Sequence, residues 1–184
     1  IRRTLSEIAD GRSGGFGGLF VEMLCDIREE LAELDARLAG YNQRIKSLYR
    51  SNEMCQRIGQ IEGIGPITAT ALVAAVGDKS CFRNGRQFAA WLGLVPKQHS
   101  SGGKARLFGI SKRGDRYLRT MLIHGARAVL GRSAGKTDTR SQWINRMRER
   151  RHPNVVAVAL ANKNARIVWS LLSSDQEYSR GHMV

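Results

Sequence analysis

The chain has 184 residues, 42% of them hydrophobic, enough to bury a core and too many for a wholly disordered segment. Its 30 Lys and Arg against 16 Asp and Glu leave a net charge of +14 and a sequence pI near 10.7. That balance calls for a polyanionic partner, nucleic acid before membrane.

No stretch reads as the apolar run of about 20 residues that a spanning helix needs, and no signal-peptide layout opens the chain. No membrane partner is therefore expected, and a nucleoid-associated place in the cytoplasm is. The chain starts at Ile1 rather than Met, so it reads as a fragment of something longer. Cys25, Cys55 and Cys81 are odd in number and widely spaced, which predicts free thiols and no zinc site. His99, His124, His152 and His182 are equally scattered and read as structural or solvated.

In chain order, residues 1–19 form a partial N-terminal segment, in which Asp10 to Gly18 holds five glycines in nine residues and reads as a flexible connector. From 20 to 56, Phe20, Leu24, Ile27, Leu31, Leu34, Leu38, Tyr41, Ile45 and Leu48 recur at alternating spacings of four and three. This is a heptad seam, and it predicts a long coiled-coil helix that joins a homo-oligomer, a dimer or tetramer. Asn52 takes an a-type position in that seam, where a buried Asn fixes register. The alternative is a long amphipathic helix packed on its own domain.

Residues 57–178 read as one compact helical domain. In "RIGQIEGIGPITATALVAAVG", Gly63 and Gly65 flank Ile64, and Pro66 stands where a helix begins. The pattern resembles the second half of a helix-hairpin-helix, whose Gly-x-Gly turn lets backbone N–H groups approach a phosphate. A tight turn between packed helices fits these residues equally well.

Between Lys79 and Lys136 stand thirteen Lys and Arg against one acid, Asp115. A solvated face interleaves both signs, so this segment reads as built for phosphate. Within it a short helix from Arg86 to Leu92 puts Phe88, Trp91 and Leu92 on a core face. A Gly/Ser-rich basic loop spans 97–113. A helix then starts near Asp115 as N-cap and runs to about Leu130. Two more helices follow, Ser141 to Arg150 and Asn154 to Leu172, with the basic "RMRERRH" between them, and a tail at 179–184. Strand alternation is suggested only by "KARLFGIS", so the fold class is mainly α.

The loop holds Ser100 and Ser101 ahead of Gly102 and Gly103, with Lys104, Arg106, Lys112, Arg113, Arg116 and Arg119 around or beyond them. A reachable serine can attack a phosphodiester and conserve its bond energy in a protein–DNA phosphoester, provided cations or a metal stabilise the phosphorane. His99 is a weak candidate to accept the proton, because neighbouring side chains of an extended segment point apart. Composition alone favours a plainer reading, a non-catalytic loop that docks phosphates in a nucleic-acid-binding and multimerisation module.

The blocks "IEGIGPITATALVAAVGD", "FRNGRQFAAWLGLVPKQHSSGGKARLFGISKRGDRYLRTMLIHGARAVL" and "NVVAVALANKNARIVWSLL" closely resemble the C-terminal half of transposases of insertion-sequence family 110, in particular its 1111 branch. The likeness covers most of Arg57 to Tyr178. It implies an RNA-guided serine transposase or recombinase, with DNA and a structured guide RNA as partners. It also implies an N-terminal RNase H-like domain whose acidic quartet binds Mg²⁺, joined by the coiled coil to a domain that supplies the serine. The family's Ser-Gly-Gly-Lys block falls on Ser101, with Ser100 and Ser111 its nearest rivals. No acidic cluster in this chain matches the quartet, so no cofactor is expected within it. The fragment is expected to bind nucleic acid and self-associate, and to cut poorly alone.

Overall fold

The computed structural model describes residues 17–77, 81–101, 104–174 and 177–179, with the backbone alone at 100–101 and 104–105. Most of the expected connector at Asp10 to Gly18, the Gly102–Gly103 pair and most of the 179–184 tail lie outside the described residues. Seven helices and one two-stranded sheet make up the described residues, so the fold is mainly α. The chain divides into two units between Ser47 and Leu48.

The first unit is carried by α1, Gly18–Ser51, a 34-residue helix with no buried residue. Its seam residues Ile27, Leu34, Leu38 and Tyr41 are all exposed. An apolar stripe sustained this long is the signature of a helix that packs on another helix.

The second unit opens with the last turn of α1, at Leu48. Asn52 was expected to continue the seam; instead its side chain accepts the Cys55 N–H at 2.9 Å and caps α2, Glu53–Gly59. Asn is among the best N-caps because its short side chain satisfies an orphan N–H in the first turn. It therefore breaks the long helix at 52 rather than fixing its register.

After α2 come α3, Pro66–Val76, and α4, Gly85–Trp91, then a hairpin of β1, Pro96–Ser101, and β2, Lys104–Ile110. Helices α5, Arg116–Gly131, α6, Thr139–Arg148, and α7, Pro153–Ser173, complete the unit. The segment expected as a loop at 97–113 is thus mostly antiparallel sheet, in which "KARLFGI" is the second strand.

The core is built on α7, which packs against α4 and α5 and, over smaller areas, α2 and α6. By length and composition α7 could cross a membrane, contrary to the expectation that no stretch comes close. Its apolarity is explained by burial: Val156, Ala157, Leu160, Ala161, Ala165 and Val168 are fully enclosed. Asn164, also fully buried, accepts a hydrogen bond from Arg140 and donates to the Glu62 carbonyl at 3.3 Å, so its polar atoms are matched. Phe88 is core as expected and packs edge-on to Phe82 at 5.1 Å between ring centroids, whereas Trp91 stays at the surface.

Candidate nucleic-acid interface and serine hairpin

The hairpin grows out of a corner whose backbone is tied in several places. The chain leaves α4 through Gly93, at φ 72°, and returns from β2 through Ser111–Asp115. Ser111 donates its N–H to the Val95 carbonyl at 2.8 Å, and Lys112 donates to the Gly93 carbonyl at 3.2 Å. A Cβ on Gly93 would run into the Arg113 carbonyl, and one on Gly114, at φ 109°, would overlap the Trp91 carbonyl. Two glycines are required here because two backbones touch.

Arg119, expected among the phosphate contacts, is part of this corner. It is only 9% exposed, and its Nη1 donates to the carbonyls of Leu92 and Gly114 at 3.3 Å and of Asp115 at 3.4 Å. A guanidinium has no acceptor capacity and several donors, which suits it to gather carbonyls left by a helix end and a turn. Its charge is committed to the fold.

Lys112, Arg113 and Arg116 are exposed on this tied backbone. Lys112 has φ 56°, a left-handed conformation that costs a side-chain-bearing residue about 1–2 kcal/mol. Arg116 is the first residue of α5, directly after the Asp115 cap, whose carboxylate accepts the Leu118 N–H at 2.7 Å. Three cations on a fixed frame lose little entropy when they meet an anion.

Along the hairpin, Ser101 pairs with Lys104, Ser100 with Ala105 and His99 with Arg106. Backbone pairing thus brings together four of the expected site residues, Ser101 and Lys104 flanking the connection and Arg106 two positions back opposite His99. The side chains of Ser100, Ser101 and Lys104 lie outside the described residues. Arg106 and His99 are exposed, and the His99 ring stands edge-on to Phe108 at 5.5 Å. Ser111, the third candidate serine, has a buried hydroxyl with no hydrogen-bond partner, which leaves it without access to a strand.

The two glycines of the helix-hairpin-helix-like turn stand in different surroundings. Ile61 donates to Ile58 and Ile64 to Ile61 through short turns, and Ile58, Ile61 and Ile64 are all buried. Gly63, at φ 89°, lies against Gly125 of α5, where a Cβ on either residue would strike the other's carbonyl. Gly63 is therefore a packing residue. Gly65 is exposed, has open space where a Cβ would stand, and forms the N-cap of α3 ahead of Pro66. It leaves the positive end of α3 uncovered.

Among the described residues no three His, Cys, Asp or Glu side chains gather where they could hold a metal ion. The described thiols are free, and burial pushes the Cys55 thiol above its usual range. Sequence reasoning missed the double-glycine corner and the Arg119 clamp. The readable signal for the clamp was position: Arg119 lies beside Leu118 and three residues before Leu122, on the buried side of α5.

The model of the Transposase IS116/IS110/IS902 family matches residues 55–148. The chain is 57% identical over 160 residues to the "Probable family 20 transposase" of Pseudomonas aeruginosa, covering 87% of this chain and 47% of that protein. It is 49% identical over 152 residues to the transposase for insertion sequence element IS1111A of Coxiella burnetii, covering 83% and 42%. To the transposase for insertion sequence element IS1328 of Yersinia enterocolitica it is 38% identical over 160 residues, covering 87% and 48%. The chain spans about half the length of these curated relatives. With the family match running through the turn at Gly63, the hairpin and the cationic corner, the chain belongs to the IS116/IS110/IS902 transposase family.

Proposed function

We propose that this chain is the part of a DNA transposase or recombinase that presents the nucleophile, Ser101, to a DNA phosphate when an insertion sequence moves. The Ser101 Oγ forms a bond to phosphorus as the bond to one sugar oxygen breaks; the serine proton passes to a base, for which His99 in the same strand is the candidate within this chain, and the expelled sugar oxygen takes up a proton from water. The covalent link stores the bond energy, and the freed sugar hydroxyl of a new strand reverses the step. Lys104 and Arg106 on the hairpin and Lys112, Arg113 and Arg116 on the corner supply the positive charge that the phosphorane needs. The uncovered start of α3 at Gly65 grips a second phosphate.

The observation that carries this reading is the hairpin itself: it lifts Ser101, paired with Lys104, from a corner where two glycines and Arg119 tie down the cations' backbone. A catalytic loop needs reach at its tip and rigidity at its base.

The wider protein in this reading uses a structured guide RNA to choose its DNA and assembles as a dimer or tetramer through α1. Mg²⁺ is held by residues outside this chain. Alone, the chain binds nucleic acid and cuts poorly. The natural setting is the cytoplasm.

Replacement of Ser101 by alanine in the full-length transposase tests the central role. Strand transfer is expected to disappear while DNA binding stays within about twofold. Strand transfer at the normal rate would leave the hairpin as a phosphate-docking element in a non-catalytic module.

A further inference from the structure

Between the hairpin and the first half of α7 runs an open groove of about 1130 Å³, which shares His99 and Lys112 with the proposed transfer site and extends beyond them along α7. One wall is Pro96, Phe108 and Ile110; the other is Val155, Val158 and Ala159. Two of these, one on each wall, are left open to solvent, with Phe108 53% and Val155 50% exposed. Lys97, His99 and Lys112 also line the groove, and among the described residues lining it there is no carboxylate.

Apolar walls beside two lysines, Lys97 and Lys112, select for a ligand with an apolar face and a negative charge. A protein helix would supply the first and needs an acidic border to match the second. A nucleic-acid duplex supplies the charge and hides its base faces in the stack. An unpaired nucleotide has both in one residue: a flat base whose face can lie on an aromatic ring, and a phosphate one bond sequence away.

From this we infer that the groove receives one unpaired nucleotide of a bound DNA or RNA strand, with its base between Phe108 and Val155 and its phosphate toward Lys97 and Lys112. This rests on the reading of the chain as a nucleic-acid-binding domain and deepens it. The His99 ring stands edge-on to Phe108 at 5.5 Å and so supports the base platform from the side. Asn162 donates one amide hydrogen to the Leu94 carbonyl at 3.1 Å, which fixes its side chain in the groove wall. In volume the groove exceeds what one base needs, since whole drug-sized ligands occupy pockets of about 300–1,000 Å³.

The test uses the 184-residue chain and short duplexes that carry one 5-iodouracil, either unpaired as a single-nucleotide bulge or paired with adenine, in DNA and in RNA. After irradiation, peptide mass spectrometry locates the adduct. The inference expects an adduct on Phe108 or His99 with the bulged duplex and none with the paired one, and the arm that gives it tells whether the strand is DNA or RNA. Phe108→Ala and Val155→Glu, on opposite walls and both at exposed positions, are each expected to weaken bulge binding about tenfold. Paired-duplex binding is expected to stay within about twofold. Salt-sensitive binding of all the duplexes with no adduct in the groove would overturn the inference and leave the basic surface in place. Failure to bind any of them would overturn both.

Discussion

Gly114 and Arg119 hold the same corner by opposite means, one by having no side chain and the other by burying a long one. Gly114→Ala puts a Cβ into the Trp91 carbonyl at a φ of 109°. It is expected to lower unfolding stability by about 2 kcal/mol, read from the urea midpoint. Sequence alone favoured the wrong role for Arg119, because an arginine in a basic segment reads as a phosphate contact until its face of the helix is known. The opposite holds for Asp115, whose capping role was legible from its place before the apolar period and is what the structure has. Asp138, the N-cap of α6, offers a pH test at this scale. Hydrogen bonds from Ser141, the side chain foremost and then the backbone N–H, hold its carboxyl below the usual range. The cap is therefore fully present above the unfolded value of about 3.9 and is lost as pH falls through the lower folded value. The difference in Tm between the parent and Asp138→Ala is expected to be constant near neutrality and to close on acidification below that range.

At the scale of elements, the long helix was readable because its period is long, and its end was misread because Asn serves two purposes. An a-position Asn and an N-cap Asn look alike in sequence; the turn that follows separates them. Asn52→Ala is expected to cost about 1 kcal/mol through loss of the Cys55 N–H contact, measurable by thermal denaturation, with no change in assembly. In the proposed reading, assembly depends on the seam instead. With no residue of α1 buried, Leu31→Asp should leave the domain folded and convert the oligomer to monomer in sedimentation. An unchanged multimer would remove the seam from the interface. The hairpin was legible only in its second strand. "KARLFGI" alternates at its start, whereas "PKQHSS" is polar after Pro96 and shows no alternation of its own, so its pairing follows the partner strand. That is why the same residues looked like a loop.

For the whole molecule, charge and core are arranged separately. Helix α7 and its neighbours close an apolar interior, and apart from the buried Arg119 and Arg140 most Lys and Arg of the described residues are left for the outside. A basic surface on this scale makes affinity for DNA fall with salt, by a slope that counts phosphate contacts. Lys112→Ala and Arg113→Ala are each expected to reduce the magnitude of that slope by about 0.9. Arg119→Met, in contrast, should change stability and leave the slope alone, since its guanidinium is buried on three carbonyls. The membership of a transposase family was legible from ordered blocks of sequence, while the corner that steadies the hairpin depends on contacts between residues 91–95 and 111–119 that no local pattern encodes.

The most direct test of the central claim is covalent trapping at Ser101. Full-length transposase, its guide RNA, Mg²⁺ and labelled donor DNA are combined and denatured during turnover, and any protein–DNA adduct is mapped by peptide mass spectrometry. A phosphoester on Ser101, absent in Ser101→Ala, is the predicted result. Efficient recombination with no serine adduct, under conditions that trap a known serine recombinase, would contradict it.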